Sequence, residues 1–516
     1  MLSIDNFKQT LAVYWPFVVV FLLCISLIQA RYSSNLHRIP GPFLSSVSII
    51  PRIRSVYRGN SHEDELELHK KFGNFVRVGP RTVSISDPAH IEKIYGISSN
   101  FFKAGFYEPI RFHDEEGLVP DPLVLADKAT HTRMKRNAAN AYALQALVQL
   151  EPLVNRTIDN LLKHLDICYA STGAICNLGE YMHFFAMDTI FNITFGRDLD
   201  FINSGDPKGF CRQLQDGLGY LVCIGQIPWA HRFLLGNRVV AGLLNRLTDE
   251  ESVFDKVMSL ATSYRTIAEK EALIGDDEAT SCTFLSRLLR NQTRNPSLIT
   301  DREINTHIFG NITAGGDTTS TALRAVLRDL IRHPAVTHRL LAELRNAGLD
   351  ETETPVPYSI ASKLPYLSAI IRESMRLHPS VGMMLARGVP PEGAVFRDGD
   401  RDEYHIGPGV EVGINPWVVH RNPRVFPNPE VYSPERWLEA APEQLAQMKR
   451  AWMPFGAGRH TCSGQHISML EITKLVPTIV LKYGITWSSP SEDVSVFNRF
   501  FTIQKGLLVK LEKKGQ

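Results

Sequence analysis

Near its C-terminal end the chain reads Phe455, Gly456, Ala457, Gly458, Arg459, His460, Thr461, Cys462, Ser463, Gly464, followed by a helix-like run. Two glycines allow a tight turn that gathers backbone N–H groups. Cys462 falls where a helix begins, a position that lowers a thiol's pKa and so predicts a thiolate. Gly464 removes a side chain just beyond it and leaves room for a flat, bulky ligand. Two other readings fit these local features. One is an ordinary buried cysteine. The other is a zinc site from His460, Cys462 and His466, for which the run lacks a fourth ligand at ordinary spacing.

A second group of chemically capable residues lies upstream. Thr300 followed by Glu303 reads as a capping box that opens a helix running to Arg332, about 45 Å at 1.5 Å per residue. Its middle reads Ala314, Gly315, Gly316, Asp317, Thr318, Thr319, Ser320, Thr321, which is poor helix-forming material, since each glycine costs about 1 kcal/mol relative to alanine. A kink or a close ligand would explain the glycines. The hydroxyls can bond back to the backbone, but a carboxylate at the centre of a long helix needs a partner or a task. Farther on, Glu373 and Arg376 stand three apart on one helical face, with Pro434, Glu435, Arg436 and Trp437 between them and the cysteine segment. An exposed pair of this kind contributes only about 0.2–0.5 kcal/mol; a buried network would matter far more.

Taken in this order, the motifs resemble those of the cytochrome P450 superfamily. FGAGRHTCSG is similar to its haem-binding loop, which implies Cys462 as the axial thiolate ligand of haem iron, Phe455 beside it, and Gly458 and Gly464 serving the turn and the following helix. His460 stands where the family usually has Arg. AGGDTT is similar to the oxygen-binding groove: the resemblance implies that Thr318 holds activated oxygen and a nearby water while Asp317 supplies protons, a general-acid relay. Glu373, Arg376 and Arg436 are implied as a structural network under the haem. HTRMKR places His131 and Lys135 where the family supplies contacts to the haem propionates, although Lys lacks the bidentate fork of Arg; Arg387 is a further propionate candidate. Ala314, Met383, Met384 and Leu385 fall where the family lines its substrate pocket. The cofactor implied is haem b, with NADPH used through a reductase and not bound directly. The partners implied are an NADPH-cytochrome P450 reductase, a lipid membrane and a small apolar organic substrate. The segment ending in NPWVVHRNPRVF and PERW looks most like fungal members of the pisatin demethylase or benzoate hydroxylase type. Two other activities are open to such a chain: an oxygen-independent haem-thiolate isomerase or dehydratase, against which the Asp317–Thr318 pair argues, and a non-catalytic haem sensor.

The elements that must position these residues are legible from pattern. Of 516 residues, 44% are hydrophobic and 21% charged, with a net charge of +2, which excludes disordered chains and gives no basic excess for nucleic acid. Seven cysteines without a CxxC pair exclude a disulfide framework. Residues 9–30 carry no charge and would reach about 33 Å, enough for a hydrocarbon core of about 30 Å. They are expected to be an uncleaved transmembrane anchor after a short lumenal segment, 1–8. Arg31, Arg38, Arg52, Arg54 and Arg58 follow before the first acid, Glu63, placing the bulk of the chain on the cytoplasmic face of the endoplasmic reticulum membrane as a single-pass protein. Residues 31–60 read as a basic, proline-bearing tether and 61–516 as one large domain, mainly α with small β-sheets. Helices are expected at Glu63–Phe72, Lys128–Gln149, Leu153–Leu165, Tyr181–Phe195, Glu250–Glu271, Glu303–Arg332, Ala335–Ala347, Tyr366–Leu377 and Gln465–Tyr483. A hairpin is expected at Phe75–Val78 and Thr82–Ile85, and a strand at Val410–Ile414. Residues 101–126 and 210–238 are expected to cover the pocket. Sequons begin at Asn155, Asn192, Asn291 and Asn311, and no glycans are expected on a cytoplasmic domain.

Overall fold

The computed structural model describes residues 4–111, 113–114, 116–248, 253–274, 282–399, 402–489 and 494–515. Its elements, in chain order, include α1 (Ile4–Tyr32), α2 (Ile50–Arg58), β1 (Phe75–Gly79), β2 (Thr82–Ile85), β3 (Phe102–Lys103), α3 (Lys128–Ala138), α4 (Leu178–Phe195), α5 (Phe210–Ile224), α6 (Arg238–Thr248), α7 (Asp301–Arg332), α8 (Pro365–Leu377), β4 (Arg387–Gly388), β5 (Glu411–Ile414), α9 (Gln465–Lys482) and β6 (Phe501–Lys505). The molecule is mainly helical with small sheets, as expected. The expected helix over Lys128–Gln149 is broken: α3 ends at Ala138, and a short helix resumes at Leu144–Val148. The expected helix at Glu250–Glu271 is seen as Val253–Ile274; its residues 250–252 lie outside the described set. Helix α5 lies where only a variable cover was expected, and α6 begins at the end of that segment.

Helix α4 is buried almost all round, which its apolar composition demands. Against it runs the 32-residue α7, opened by the predicted capping box: Thr300 accepts from the Glu303 N–H while the Glu303 carboxylate accepts from the Thr300 N–H. The helix is continuous through Gly315 and Gly316, and packing explains these glycines better than a kink or a ligand does. A Cβ on Gly315 would lie 2.9 Å from Ile190 Cγ1, and one on Gly316 2.2 Å from Met187 Sδ, so the missing side chains let α7 approach α4.

The five-stranded sheet has the order β1-β2-β5-β4-β3. Strands β1 and β2 form the expected hairpin, with Phe75 opposite Ile85, and β5 joins β2 in parallel, with Val412 opposite Val83. In the short pair β3–β4, Lys103 stands opposite Arg387.

Helix α1 is continuous for 29 residues and so runs past the boundary expected at residue 30. Among the described residues, no helix is long and apolar enough to cross a membrane. The transmembrane span expected over 9–30 is thus not identified here, and it falls partly on side chains outside the described set. The segment 31–60, expected to be a tether, is bonded to the domain. Fully buried Arg77 donates to the carbonyls of Ala30, Arg31 and Pro80 at 2.6, 2.7 and 2.5 Å. These include carbonyls near the end of α1, where a cation is favoured. The Arg77 N–H donates to Pro40 O at 2.8 Å. Asn192 and Asn311 are buried, so neither of these sequons presents its side chain to a glycan.

Candidate active site

The glycines shape the loop before α9. Gly456 and Gly458 take φ of +70° and +59°, and a Cβ on Gly458 would lie 2.0 Å from Tyr95 O. Only glycine fits both the conformation and the space there. The Cys462 N–H donates to Phe455 O at 2.9 Å and closes the loop. Beyond it, a Cβ on Gly464 would meet only Cys462 Sγ at 3.9 Å, so this side of the loop presents a flat face. Phe455 packs edge-on to Trp452.

Cys462 is accessible yet lies so deep that burial raises its thiol pKa, against the lowering effect of the Gly464 and Gln465 N–H groups and Lys135. Burial and the helix N-terminus thus act on this thiol in opposite senses.

Around this loop the fold gathers buried basic groups. The His131 and His460 rings lie 4.3 Å apart, tilted by 54°. Arg387 lies over the Tyr95 ring at 5.0 Å and donates to Ala386 O at 2.8 Å. Lys103, which sequence reasoning missed, lies 4.3 Å from the Tyr107 ring centroid. Burial, then repulsion from Lys103, Arg387, His131 and Lys135, pushes the His460 pKa far down. His131 is lowered to about 4, by burial first and Lys135 next. Burial and Arg387 hold Lys103 well below the usual lysine range. Asp121, also missed, is the acid that offsets Lys103, and burial raises it to about 6. His131 Nδ1, Arg387 Nε and His460 Nδ1 are buried without a hydrogen-bond partner. Cations facing one another across strands and orphaned N–H groups both cost stability, and an anion placed among them would relieve both costs. A haem, flat and carrying two carboxylates, fits this cradle and the open face of Gly464. Lys135 Nζ donates to Thr461 O at 2.7 Å and Arg459 O at 3.3 Å, tying α3 to the cysteine loop.

On α7, Thr318 Oγ1 donates to Ala314 O at 2.6 Å. Asp317 has two partners the sequence did not name: Gln215 Nε2 at 2.9 Å and His183 Nε2 at 3.3 Å, both on Oδ1. Next to this turn, Thr319 Oγ1 lies 2.5 Å from Ser468 Oγ. The acid–hydroxyl turn of α7 is thereby fastened to the first turns of α9, just after Cys462.

Glu373 and Arg376 are fully buried. Arg376 donates to both Glu373 oxygens at 2.9 Å, and Arg436 Nε donates to Oε1 at 2.9 Å. Two further members were missed. Trp437 Nε1 donates to Glu373 Oε2 at 2.9 Å. His420 accepts from the Met453 N–H at 2.8 Å, while its carbonyl accepts from Arg376 at 2.9 Å. The network thus reaches within two residues of Phe455. The signal for His420 was present in NPWVVHRNPRVF, but its partners come from segments far along the chain.

Met383 joins Phe106, Tyr107, Ile110, Leu221 and Val222 in one apolar cluster, so the two segments expected to cover the pocket meet at this residue. Met384 packs with Ala104 and Ala386. The Leu385 carbonyl accepts from Tyr95.

Buried neutral histidines make stability depend on pH. Burial lowers His62 and His307 to about 4 and His420 to about 3, whereas the unfolded chain titrates near 6.5. Below about 6.5 the unfolded state binds the extra protons, so stability is full above that pH and falls towards pH 4, by about 1 kcal/mol per unit per histidine. Asp121, Asp188 and Asp329, which burial raises to about 6, act in the opposite sense below that pH, so urea midpoints should drop from pH 7.5 to 6; a flat profile there would contradict it.

A family model described as Cytochrome P450 matches residues 39–511. Among curated proteins, the chain is 32% identical over 497 residues to cytochrome P450 monooxygenase cicH of Emericella nidulans, covering 96% of this chain and 97% of that one. It is 30% identical to cytochrome P450 monooxygenase pkfB of the same fungus, covering 96% of each chain. It is 31% identical to pisatin demethylase of Fusarium vanettenii, covering 91% of this chain and 87% of that one. With matches along nearly the whole chain and a cysteine loop shaped for a haem, the chain belongs to the cytochrome P450 family, whose cofactor is haem iron and whose members similar to it are named monooxygenases.

Proposed function

We propose that this protein is an oxygen-activating haem-thiolate monooxygenase that oxidises a small apolar organic substrate in fungal secondary metabolism or xenobiotic breakdown. The observation that carries the reading is the Thr319–Ser468 bond, which brings the Asp317–Thr318 turn against the helix that follows Cys462. Haem, when bound, supplies the iron that binds and activates dioxygen. Cys462 would hold the iron through its sulfur, as a thiolate. Arg387, His131 and His460 would hold the carboxylates of the cofactor, and Lys135 steadies the loop. Because the Thr318 hydroxyl donates to Ala314 O, its lone pairs are free to accept from a water or from a protonated group. Asp317 supplies protons at this turn. The apolar cluster around Met383 takes the substrate and excludes water.

Electrons come from NADPH through a membrane-bound, flavin-containing reductase. The protein sits on the endoplasmic reticulum membrane with its catalytic domain cytoplasmic. Support comes from the charge-free run 9–30 and from bare apolar side chains on α1, including Phe17, Phe21 and Ile28. Trp229, Phe233, Val239 and Leu243 are also exposed. They lie in and beside α6, which follows α5, and α5 packs on α2 of the tether.

The test is purified protein with reductase, NADPH and apolar candidate substrates. Oxygen uptake should accompany product; turnover that persists without oxygen overturns the proposal. In Thr318→Ala, the peroxide released per NADPH consumed should rise severalfold, while unchanged coupling would remove Thr318 from the relay.

A further inference from the structure

A cavity of about 610 Å3 opens beside α4 and α7, and its polar lining includes His183, Asp206, Gln215, Arg324, Gln504 and Lys505. A second cavity, of about 230 Å3, shares Gln215 and Lys505 with it and is lined by Asp317. His183 and Gln215, the two residues that hold Asp317 Oδ1, therefore also face the larger cavity. Neither cavity is lined by Cys462 or by the basic groups around it.

The lining is suited to water. Gln504 is 4% exposed, and neither its Nε2 nor its Oε1 has a protein partner. Asp206 Oδ1 is likewise buried and unpartnered. A cavity roomy enough for several waters, with polar groups lacking other partners, holds ordered water. Arg324, by contrast, is committed to carbonyls: its Nε donates to Gly179 O at 2.6 Å and its Nη1 to Gln504 O at 3.3 Å. It cannot serve as a proton carrier, since its guanidinium does not deprotonate.

We infer that protons reach Asp317 from solvent through this cavity, with His183 as the positioning residue that passes them on. The inference rests on the monooxygenase reading, in which Asp317 supplies protons. Cavity water protonates Nδ1 of the neutral His183 ring; the ring then releases its Nε2 proton to Asp317 Oδ1, 3.3 Å away, and exchange with cavity water, Nδ1 giving up its proton and Nε2 taking one, restores the first tautomer before the next transfer. One proton enters and one leaves, and no electrons move. Charged groups on each side set the ring's balance: Asp317 and Arg324 from α7, Asp206 from the loop before α5, and Glu180 from its own helix. Burial and Arg324 disfavour the imidazolium, while Asp317 and Asp206 favour it. A ring drawn both ways can take up a proton and give it away. Gln215 donates to the same oxygen but cannot carry a proton through, so it orients the carboxylate only.

The test uses haem-loaded protein with its reductase, as wild type, His183→Gln and His183→Asn. Both variants keep a side-chain donor and lose the shuttle. The reduced, carbon-monoxide-bound spectrum should be unchanged, turnover should fall about tenfold, and the solvent deuterium isotope effect should grow, as expected when a proton carrier is lost. A structural role alone would not enlarge the isotope effect. Turnover and isotope effect both at wild-type values would overturn the inference. A separate readout needs no turnover. In the carbon-monoxide-bound holoenzyme with labelled histidine, the His183 ring should titrate at lower pH in Asp317→Asn than in wild type, and an unchanged titration would sever the link. If wild-type protein consumes no oxygen, the monooxygenase reading fails, whereas active wild type with indifferent His183 variants defeats only the relay.

Discussion

Cys462→Ala should abolish both turnover and the thiolate-type Soret band of the reduced, carbon-monoxide-bound form, while leaving the fold in place. The fold should survive because the structural bond of this residue is its backbone N–H to Phe455 O, which alanine keeps. The turn depends on Gly456 and Gly458, not on the sulfur. Nothing else in the loop replaces the ligand. Lys135 donates to carbonyls, and His460 lies beside His131 among basic groups. The effect on activity should be complete, because the loop 455–464 holds no second cysteine to take the iron. Circular dichroism close to wild type together with loss of the band is the expected pair of results. Persistence of the thiolate-type band would mean that another residue holds the iron.

Glu373→Ala should be the most destabilising single substitution in the domain. The carboxylate accepts from Arg376 twice, from Arg436, from Trp437 and from the Ser433 N–H, with no exposure to water. Removing one partner of a buried ionic network leaves uncompensated charge and costs about 3–5 kcal/mol. The orphaned Trp437 and Ser433 N–H groups add about 1–3 kcal/mol each. Against a total stability of about 5–15 kcal/mol, most of this protein should be recovered unfolded or without haem. Glu373→Gln, which keeps the acceptor oxygen but not the charge, should be milder. Equal urea midpoints for Glu373→Ala and wild type would show that the network carries no stability. Arg436→Ala should cost less, because its guanidinium is nearer the surface and bonds mainly to the carbonyls of Pro427, Asn428 and Val431.

Local chemistry explains which parts of this architecture were readable in advance. The capping box at Thr300 and Glu303, the β1–β2 hairpin and the pair Glu373–Arg376 involve residues within a few positions of one another. Their partners are set by helical or strand period. The order of the motifs, with FGAGRHTCSG and AGGDTT, is linear information, and it sufficed for the family. Gly315 and Gly316 were visible as anomalies, but their cause was not. The groups they make room for, Ile190 and Met187, lie on another helix more than 120 residues earlier.

The ionisation of Cys462 shows the same limit in its electrostatics. A helix start favours a thiolate, and that much is local. Burial acts in the opposite sense, and it depends on depth. Lys103 could not be read as part of the site because a two-residue strand pairing brings it opposite Arg387, and neither strand has a pattern long enough to see.

The amino-acid sequence by itself determined the cysteine at the head of a helix, the acid–hydroxyl turn, the buried-network candidates and the helical class, since each follows from spacing along one segment. Tertiary structure decided what those residues face: a basic cradle around Cys462, His183 and Gln215 on Asp317, Trp437 and His420 around Glu373. Desolvation and charge act through space, and space is assigned only when distant segments pack.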